Sequence, residues 1–186
     1  MKGAIVFNRH SSRYIFKPPF IVRLEEFDEE RLPIRFEPSE AMKKNLPDLE
    51  IHEDLLSRLI ENARQEYPLE SCGILAGKNG KITKLYSMEN TQKSSSCYLM
   101  APEEQLRVFQ EIEEEGLELS AIYHSHPHSP AFPSQRDVDS AFYPDSLILI
   151  ISLMEKEVPQ FGAFQIEKGK VEKKAIKVIG KDEKVS

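Results

Sequence analysis

Apolar positions recur at helical spacing from Glu53 onward: Leu55, Leu56, Leu59, Ile60 and Ala63 share one face until Tyr67 and Pro68 end the run. The pattern then changes to β. Ser71 to Ala76 reads as a strand, Lys78-Asn79-Gly80 supplies turn chemistry, and Lys81 to Met88 reads as the second strand of a hairpin. Ser94 to Ser96 is a loop, and Cys97 to Met100 is expected to add a third short strand. Pro102 stands where a first helical residue tolerates proline, Leu106, Val108, Phe109 and Ile112 supply the apolar stripe, and Gly116 is placed to cap the end. Leu119 to Tyr123 reads as a strand, Pro127 to Pro133 as an irregular loop, and Ser134 to Phe142 as a third helix. Leu147 to Leu153 and Gly162 to Ile166 read as strands, Gly169 turns the chain, and Val171 to Val178 is expected to finish the sheet as one strand. Helices interrupting a largely antiparallel sheet define an α/β protein of the three-layer kind.

The first 50 residues are patterned differently. Apolar bursts at Ala4 to Phe7, Tyr14 to Phe16, Phe20 to Leu24 and Ile34 to Phe36 are separated by charged or proline-containing turns, which fits several short strands or an extended arm. Pro38 and Pro47 bracket the best linker candidate, residues 38–50. The expected organisation is an N-terminal extension over 1–48, a main domain over 49–180 and a charged tail over 181–186.

Composition narrows the function classes. The chain has 186 residues, with 25 Lys+Arg against 31 Asp+Glu and a formal charge of −6. Its lysines alternate with glutamates and do not cluster, so nucleic acid is not an expected partner. The strongest apolar stretch, Leu147 to Met154, is broken by Ser152 and falls far short of the roughly 20 residues that cross a bilayer. The chain's start lacks the pattern of a secretory signal, so a cytoplasmic location without a membrane partner is expected. Cys72 and Cys97 are then read as free thiols, Cys72 buried in its strand.

The candidate chemistry lies at the end of the Leu119 to Tyr123 strand. In Tyr123-His124-Ser125-His126-Pro127, the two histidines stand two residues apart, on one face of an extended chain with Cα atoms roughly 6.6 Å apart. Two imidazoles placed this way can share one metal, and zinc needs a third ligand plus an open position for water. Asp137, in the first turn of the helix that Ser134 opens, can supply it. Ser134 with Asp137 is also close to a capping box, and both roles are compatible. Asp139 and Asp145 remain alternative ligands, although Asp139 points about 160° away from Asp137 on a helix. His128 reads as a rim residue and Cys72 as a buried thiol, not a nucleophile.

Glu70, then His124-Ser125-His126-Pro127, six residues, Ser134, two residues and Asp137 together resemble the motif of the JAMM (MPN-plus) zinc metalloproteases. The resemblance runs from about Asp54 to Ile176 and is nearest to the compact prokaryotic members. It includes Pro68 to Gly77 and Pro102-Glu103-Glu104-Gln105. It implies an MPN domain: a mixed, mostly antiparallel sheet flanked by helices, with cytidine-deaminase-like layering. It further implies one Zn2+ per chain held by His124, His126 and Asp137, with Glu70 as general base and Ser134 as oxyanion donor. The implied reaction is hydrolysis of a peptide or isopeptide bond after the C-terminal Gly-Gly of a ubiquitin-like or sulfur-carrier protein. A non-catalytic MPN scaffold is the alternative, disfavoured because such members lack the metal ligands. The resemblance is silent on residues 1–48, for which homodimerisation, gating of the cleft and holding of substrate all stay open.

Overall fold

The computed structural model describes residues 45–180, together with three strands in the N-terminal part. The chain divides into two units, Met1–Lys44 and Asn45–Ser186. The first contains β1 (Val6–Arg9), β2 (Ser12–Lys17) and β3 (Phe20–Arg23), an antiparallel sheet in the order β1-β2-β3. These strands coincide with the first three apolar bursts of the sequence, whereas the fourth, Ile34 to Phe36, lies outside the described residues.

The second unit is an eight-stranded mixed sheet with helices on both faces. Its elements are β4 (Leu49–His52), α1 (Glu53–Glu66), β5 (Cys72–Lys78), β6 (Lys81–Met88), α2 (Pro102–Glu114), β7 (Glu118–His126), α3 (Gln135–Asp139), β8 (Leu147–Ser152), β9 (Gln160–Glu167), β10 (Lys170–Lys174) and β11 (Ile176–Ile179). The strand order is β10-β9-β8-β7-β5-β6-β4-β11. Only β7–β8, β6–β4 and β4–β11 pair in parallel.

Side-chain alternation assigns the layers. Along β5 and β7, Leu75, Ala121 and Tyr123 join Leu59 and Ala63 of α1, while Ile74, Ala76 and Ile122 join Val108 and Ile112 of α2. On β8, Ile148 and Ile150 pack with Val138 of α3, on the α2 side. His124 and His126 have the parity of Ile122, so the strand period turns both toward the α2 and α3 layer. Gly73 pairs with Tyr123 across the ladder, and a Cβ there would come within 2.6 Å of the tyrosine ring. The missing side chain lets that ring lie over β5, with its hydroxyl donating to Asn62 Oδ1 on α1 at 3.0 Å.

Four expectations are corrected. The 38–50 linker reading fails from Asn45 on: Leu46 is buried, its amide donates to Gln165 Oε1, and Leu49–His52 is a strand. Cys97 to Met100 is no strand, contributing only the single bridge Asn90–Met100. The expected strand Val171 to Val178 divides at Ala175, with β10 on one edge of the sheet and β11 on the other. Residues 174 and 176 are two positions apart, so the two edges of the sheet must come together there. Hydrogen bonds close the seam: Leu49 N donates to Ala175 O at 2.9 Å and Ala175 N to Asp48 Oδ1 at 3.0 Å. The third helix is also shorter than expected, ending at Asp139, because Pro144 disfavours helix before it and Val138 and Ala141 turn inward onto β8 and β9.

Candidate metal centre and active site

The end of β7 is fixed before any side chain is considered. The strand is paired on both sides, Cys72 opposite His124 on β5 and Ile150 opposite His124 on β8. Beyond it, Leu153 N donates to His126 O at 3.0 Å, and Ser152 Oγ donates to Ser129 O at 2.6 Å. The loop after Pro127 is thereby folded back over the sheet. It crosses β9 at Gly162, where a Cβ would stand 2.6 Å from Ala131 O. Ser134 then caps α3. Asp137 N donates to Ser134 Oγ at 3.3 Å, and Ser134 N donates to Asp137 Oδ2 at 2.7 Å, the reciprocal pattern of a capping box. Ser134 Oγ also donates to Asp137 Oδ2 at 2.7 Å, so the cap orients the carboxylate.

His124, His126 and Asp137 meet, each offering an atom within 4.8 Å of the others. His124 Nε2 and His126 Nε2 are 3.0 Å apart; Asp137 Oδ1 lies 3.2 Å from the first and Oδ2 3.5 Å from the second. Ligands at the ~2.0–2.1 Å bond lengths of tetrahedral zinc stand about 3.3 Å from one another. The observed distances fall around that figure, although those to Asp137 run to its two different oxygens, and two imidazole nitrogens with one carboxylate are a donor set that suits zinc. His126 Nδ1 is 2.9 Å from Pro130 O, to which it donates, leaving Nε2 free as a lone-pair donor. His124 is held otherwise: its ring stacks on Tyr98, centroids 4.7 Å apart and planes 24° apart. Neither Asp139, which accepts from Gln135 Nε2, nor Asp145 belongs to the group. His128 is exposed and packs edge-on against Tyr67, at the rim.

Electrostatics separate the carboxylates. Burial would raise the pKa of Asp137, but hydrogen bonds from His124, His126 and Ser134 hold it well below the usual range. Glu70, 4% exposed, is pushed up to about 7 by burial, with His126 and Arg136 opposing and Asp137 adding to the rise. Burial keeps His124 below its ordinary pKa; at His126 burial acts the same way, but Asp137 and the Pro130 carbonyl outweigh it and the pKa rises. One carboxylate is thus held in its anionic form and the other raised toward neutrality, the division expected of a ligand and a base.

Glu70 lies just before β5, where the ladder has not begun. Its amide donates to Ser94 O at 2.8 Å, and its carbonyl accepts from Asn90 Nδ2 at 2.9 Å. The sequence reading brought Glu70, His124, His126, Ser134 and Asp137 to one place, and the fold gathers the two histidines, Asp137 and Ser134 by direct contact, with Glu70 in electrostatic reach. It missed Tyr98 and Asn90. An aromatic flanked by Cys97 and Leu99 suggests a strand, and nothing local marks Asn90 as an inter-segment tie.

Fold and site define a JAB1/MPN-type domain. A JAB1/MPN domain protein from Archaeoglobus fulgidus superposes with a TM-score of 0.50 at 17% identity, over 71% of this chain and 98% of that one. A solution structure from Desulfitobacterium hafniense gives a TM-score of 0.66 at 31% identity, over 73% of this chain and 95% of that one. Residues 52–165 match the family of prokaryotic homologs of the JAB domain. The CysO-cysteine peptidase of Mycobacterium tuberculosis is 31% identical over 133 residues, 70% of this chain and 91% of that protein. The probable TtuB-protein conjugate cleaving protease of Thermus thermophilus is 39% identical over 88 residues, 45% of this chain and 59% of that protein. The chain belongs to the prokaryotic JAB family.

Proposed function

We propose that the protein is a zinc-dependent metallopeptidase that hydrolyses a peptide or isopeptide bond after the C-terminal Gly-Gly of a ubiquitin-like or sulfur-carrier protein. The observation that carries the metal assignment is the triangle of His124 Nε2, His126 Nε2 and Asp137 carboxylate, with edges of 3.0, 3.2 and 3.5 Å. His124, His126 and Asp137 hold one zinc per chain; when bound, the ion supplies Lewis-acid polarisation and an acidified water. Glu70, with its pKa raised to about 7, takes the proton of the attacking water and returns it to the leaving amine. Ser134 orients Asp137 through its cap; its single hydroxyl proton, given to Asp137 Oδ2 in this structure, serves the developing oxyanion only when the hydroxyl turns away from that oxygen. The substrate class rests on the relatives, one named for cleaving CysO-cysteine and one for cleaving TtuB-protein conjugates. A tail of two glycines suits a cluster flanked by Tyr98 and Glu70, because an extended chain without side chains needs the least width.

Elemental mass spectrometry on protein purified without chelator or metal-binding tag tests the ligand set. The expected result is about one zinc per chain, lost in Asp137→Ala. Absence of metal after zinc is added back overturns the assignment. Turnover is tested with a fluorescent group joined after the Gly-Gly tail of a ubiquitin-like protein, and undiminished release by Glu70→Gln removes Glu70 as the base.

A further inference from the structure

The segment between β6 and α2, residues 89–101, touches Glu70, His124 and Arg136 although it contains none of the motif residues. Its Ser94 carbonyl accepts from the Glu70 amide at 2.8 Å, the Tyr98 ring stacks on His124, and its Ser96 carbonyl accepts from Arg136, the neighbour of Asp137, at 3.2 Å. A loop with so few apolar anchors of its own needs an internal brace. Asn90 provides it. This side chain is 6% exposed and uses all four of its hydrogen-bonding positions. Oδ1 accepts from Gln92 N and Leu99 N, both at 3.1 Å, and Nδ2 donates to Cys97 O at 3.0 Å. The fourth bond leaves the loop and reaches Glu70 O at 2.9 Å.

The destination of that fourth bond is informative. β5 begins at Cys72, so the sheet ladder does not reach Glu70. Both peptide groups of Glu70 are held by the loop instead, the N–H by Ser94 O and the C=O by Asn90 Nδ2. A brace needed only for the loop's shape would be complete with the three internal bonds. We propose that Asn90 is the positioning residue for the general base: it sets the backbone of Glu70, and with it the carboxylate, against the His124, His126 and Asp137 cluster. The proposal rests on Glu70 being the base. Asn90 does not touch substrate; it acts through Glu70, and the loop it braces carries Tyr98 to His124 at the same time.

The discriminating variant is Asn90→Asp. It keeps an acceptor for the Gln92 and Leu99 amides but replaces the Nδ2 donor to Glu70 O and Cys97 O with a second oxygen, which repels both carbonyls, so a loop-brace control is read beside it. Asn90→Ser, too short to reach Glu70, is the second variant should Asn90→Asp not fold. Thr91→Val is the control, since Thr91 Oγ1 donates to Leu99 O at 2.8 Å and braces the same loop without touching Glu70. Zinc-loaded proteins are assayed for kcat and KM on the Gly-Gly reporter, and metal-free proteins for amide hydrogen exchange at residues 69–71. Loss of positioning predicts kcat lower by roughly 10- to 100-fold with KM within about twofold, zinc content unchanged, and faster exchange at residues 69–71. Thr91→Val is expected to match the parent in all four. Unchanged kcat in the Asn90 variants, or an equal loss in Thr91→Val, overturns the proposal. Glu70→Gln, run beside them, separates the two ideas. If it stays active, Glu70 is not the base and the positioning role falls with it; if it is inactive while the Asn90 variants retain kcat, only the positioning role falls.

Discussion

The imidazole of His124 stacks on the ring of Tyr98, centroids 4.7 Å apart, while its remote nitrogen, Nδ1, has no hydrogen-bond partner among the described residues. Metal-bound histidines ordinarily donate the remote N–H to a carboxylate or carbonyl, as His126 does to Pro130 O. Removing the ring by Tyr98→Ala should therefore weaken zinc affinity by about 10-fold, while Tyr98→Phe, which keeps the stack, should leave it near the parent. Competition titration with a chromogenic chelator measures both; equal affinity in Tyr98→Ala would show that stacking does not matter.

Glu70 imposes a cost on the metal-free fold. Its pKa is about 7 when folded against an ordinary 4.5, so between those values the folded state holds more protons than the unfolded one. Stability then falls as pH rises through that window, and above pH 7 the buried anion is penalised in full. Glu70→Gln removes the charge. It should stabilise the metal-free protein by about 2 kcal/mol at pH 8, after allowance for solvent screening, with the gap closing below pH 4.5. Urea denaturation at the two pH values reads the difference, and no gain at pH 8 would contradict a buried, strained carboxylate.

Ser134 is bonded to Asp137 in three ways, through its amide, and through its hydroxyl as donor and as acceptor. Ser134→Ala should cost about 1 kcal/mol of stability through the lost cap and loosen Asp137 as a ligand. Ser134→Thr keeps the hydroxyl and should restore both. If Ser134→Thr recovers thermal stability and zinc content but not turnover, the hydroxyl has a further role that the added methyl obstructs.

The two cysteines should differ sharply in reactivity. Cys72 is fully buried, its thiol donates to Met88 O, and burial pushes its pKa to about 12; Cys97 is half-buried in the loop over the site. At pH 8 an alkylating reagent should label Cys97 in the folded protein and Cys72 only after denaturation. Mass mapping of the modified peptides checks this. Rapid labelling of Cys72 would reopen the nucleophile reading.

The site was more legible in the sequence than the sheet that holds it. His124, His126, Ser134 and Asp137 are close in the chain, and strand period and helix capping, both local rules, suffice to bring them together. The long elements α1, α2, β5, β6 and β8 were equally visible because each carries its own apolar period. β4 was not. Four residues after Pro47 carry no usable period, and the partner that makes them a strand, β11, pairs Ile176 with Leu49. The division at Ala175 is passed over when Val171 to Val178 is read as one strand; the apolar alternation does change phase between Ala175 and Ile176, but only tertiary pairing sends the halves to different edges. Tyr98 and Asn90 acquire their roles only from a loop that folds across distant strands.

The seam at Ala175 also orders events during synthesis. β5 to β8, with the ligands and Glu70, can pair as soon as residue 152 has left the ribosome, but β4 must wait for β11, more than 120 positions behind it. Until then Leu49 and Ile51, both buried in the finished fold, have no cover on that side. A nascent chain would thus carry the gathered His124, His126 and Asp137 on a sheet whose margin is still open, and that margin is where a chaperone would find it.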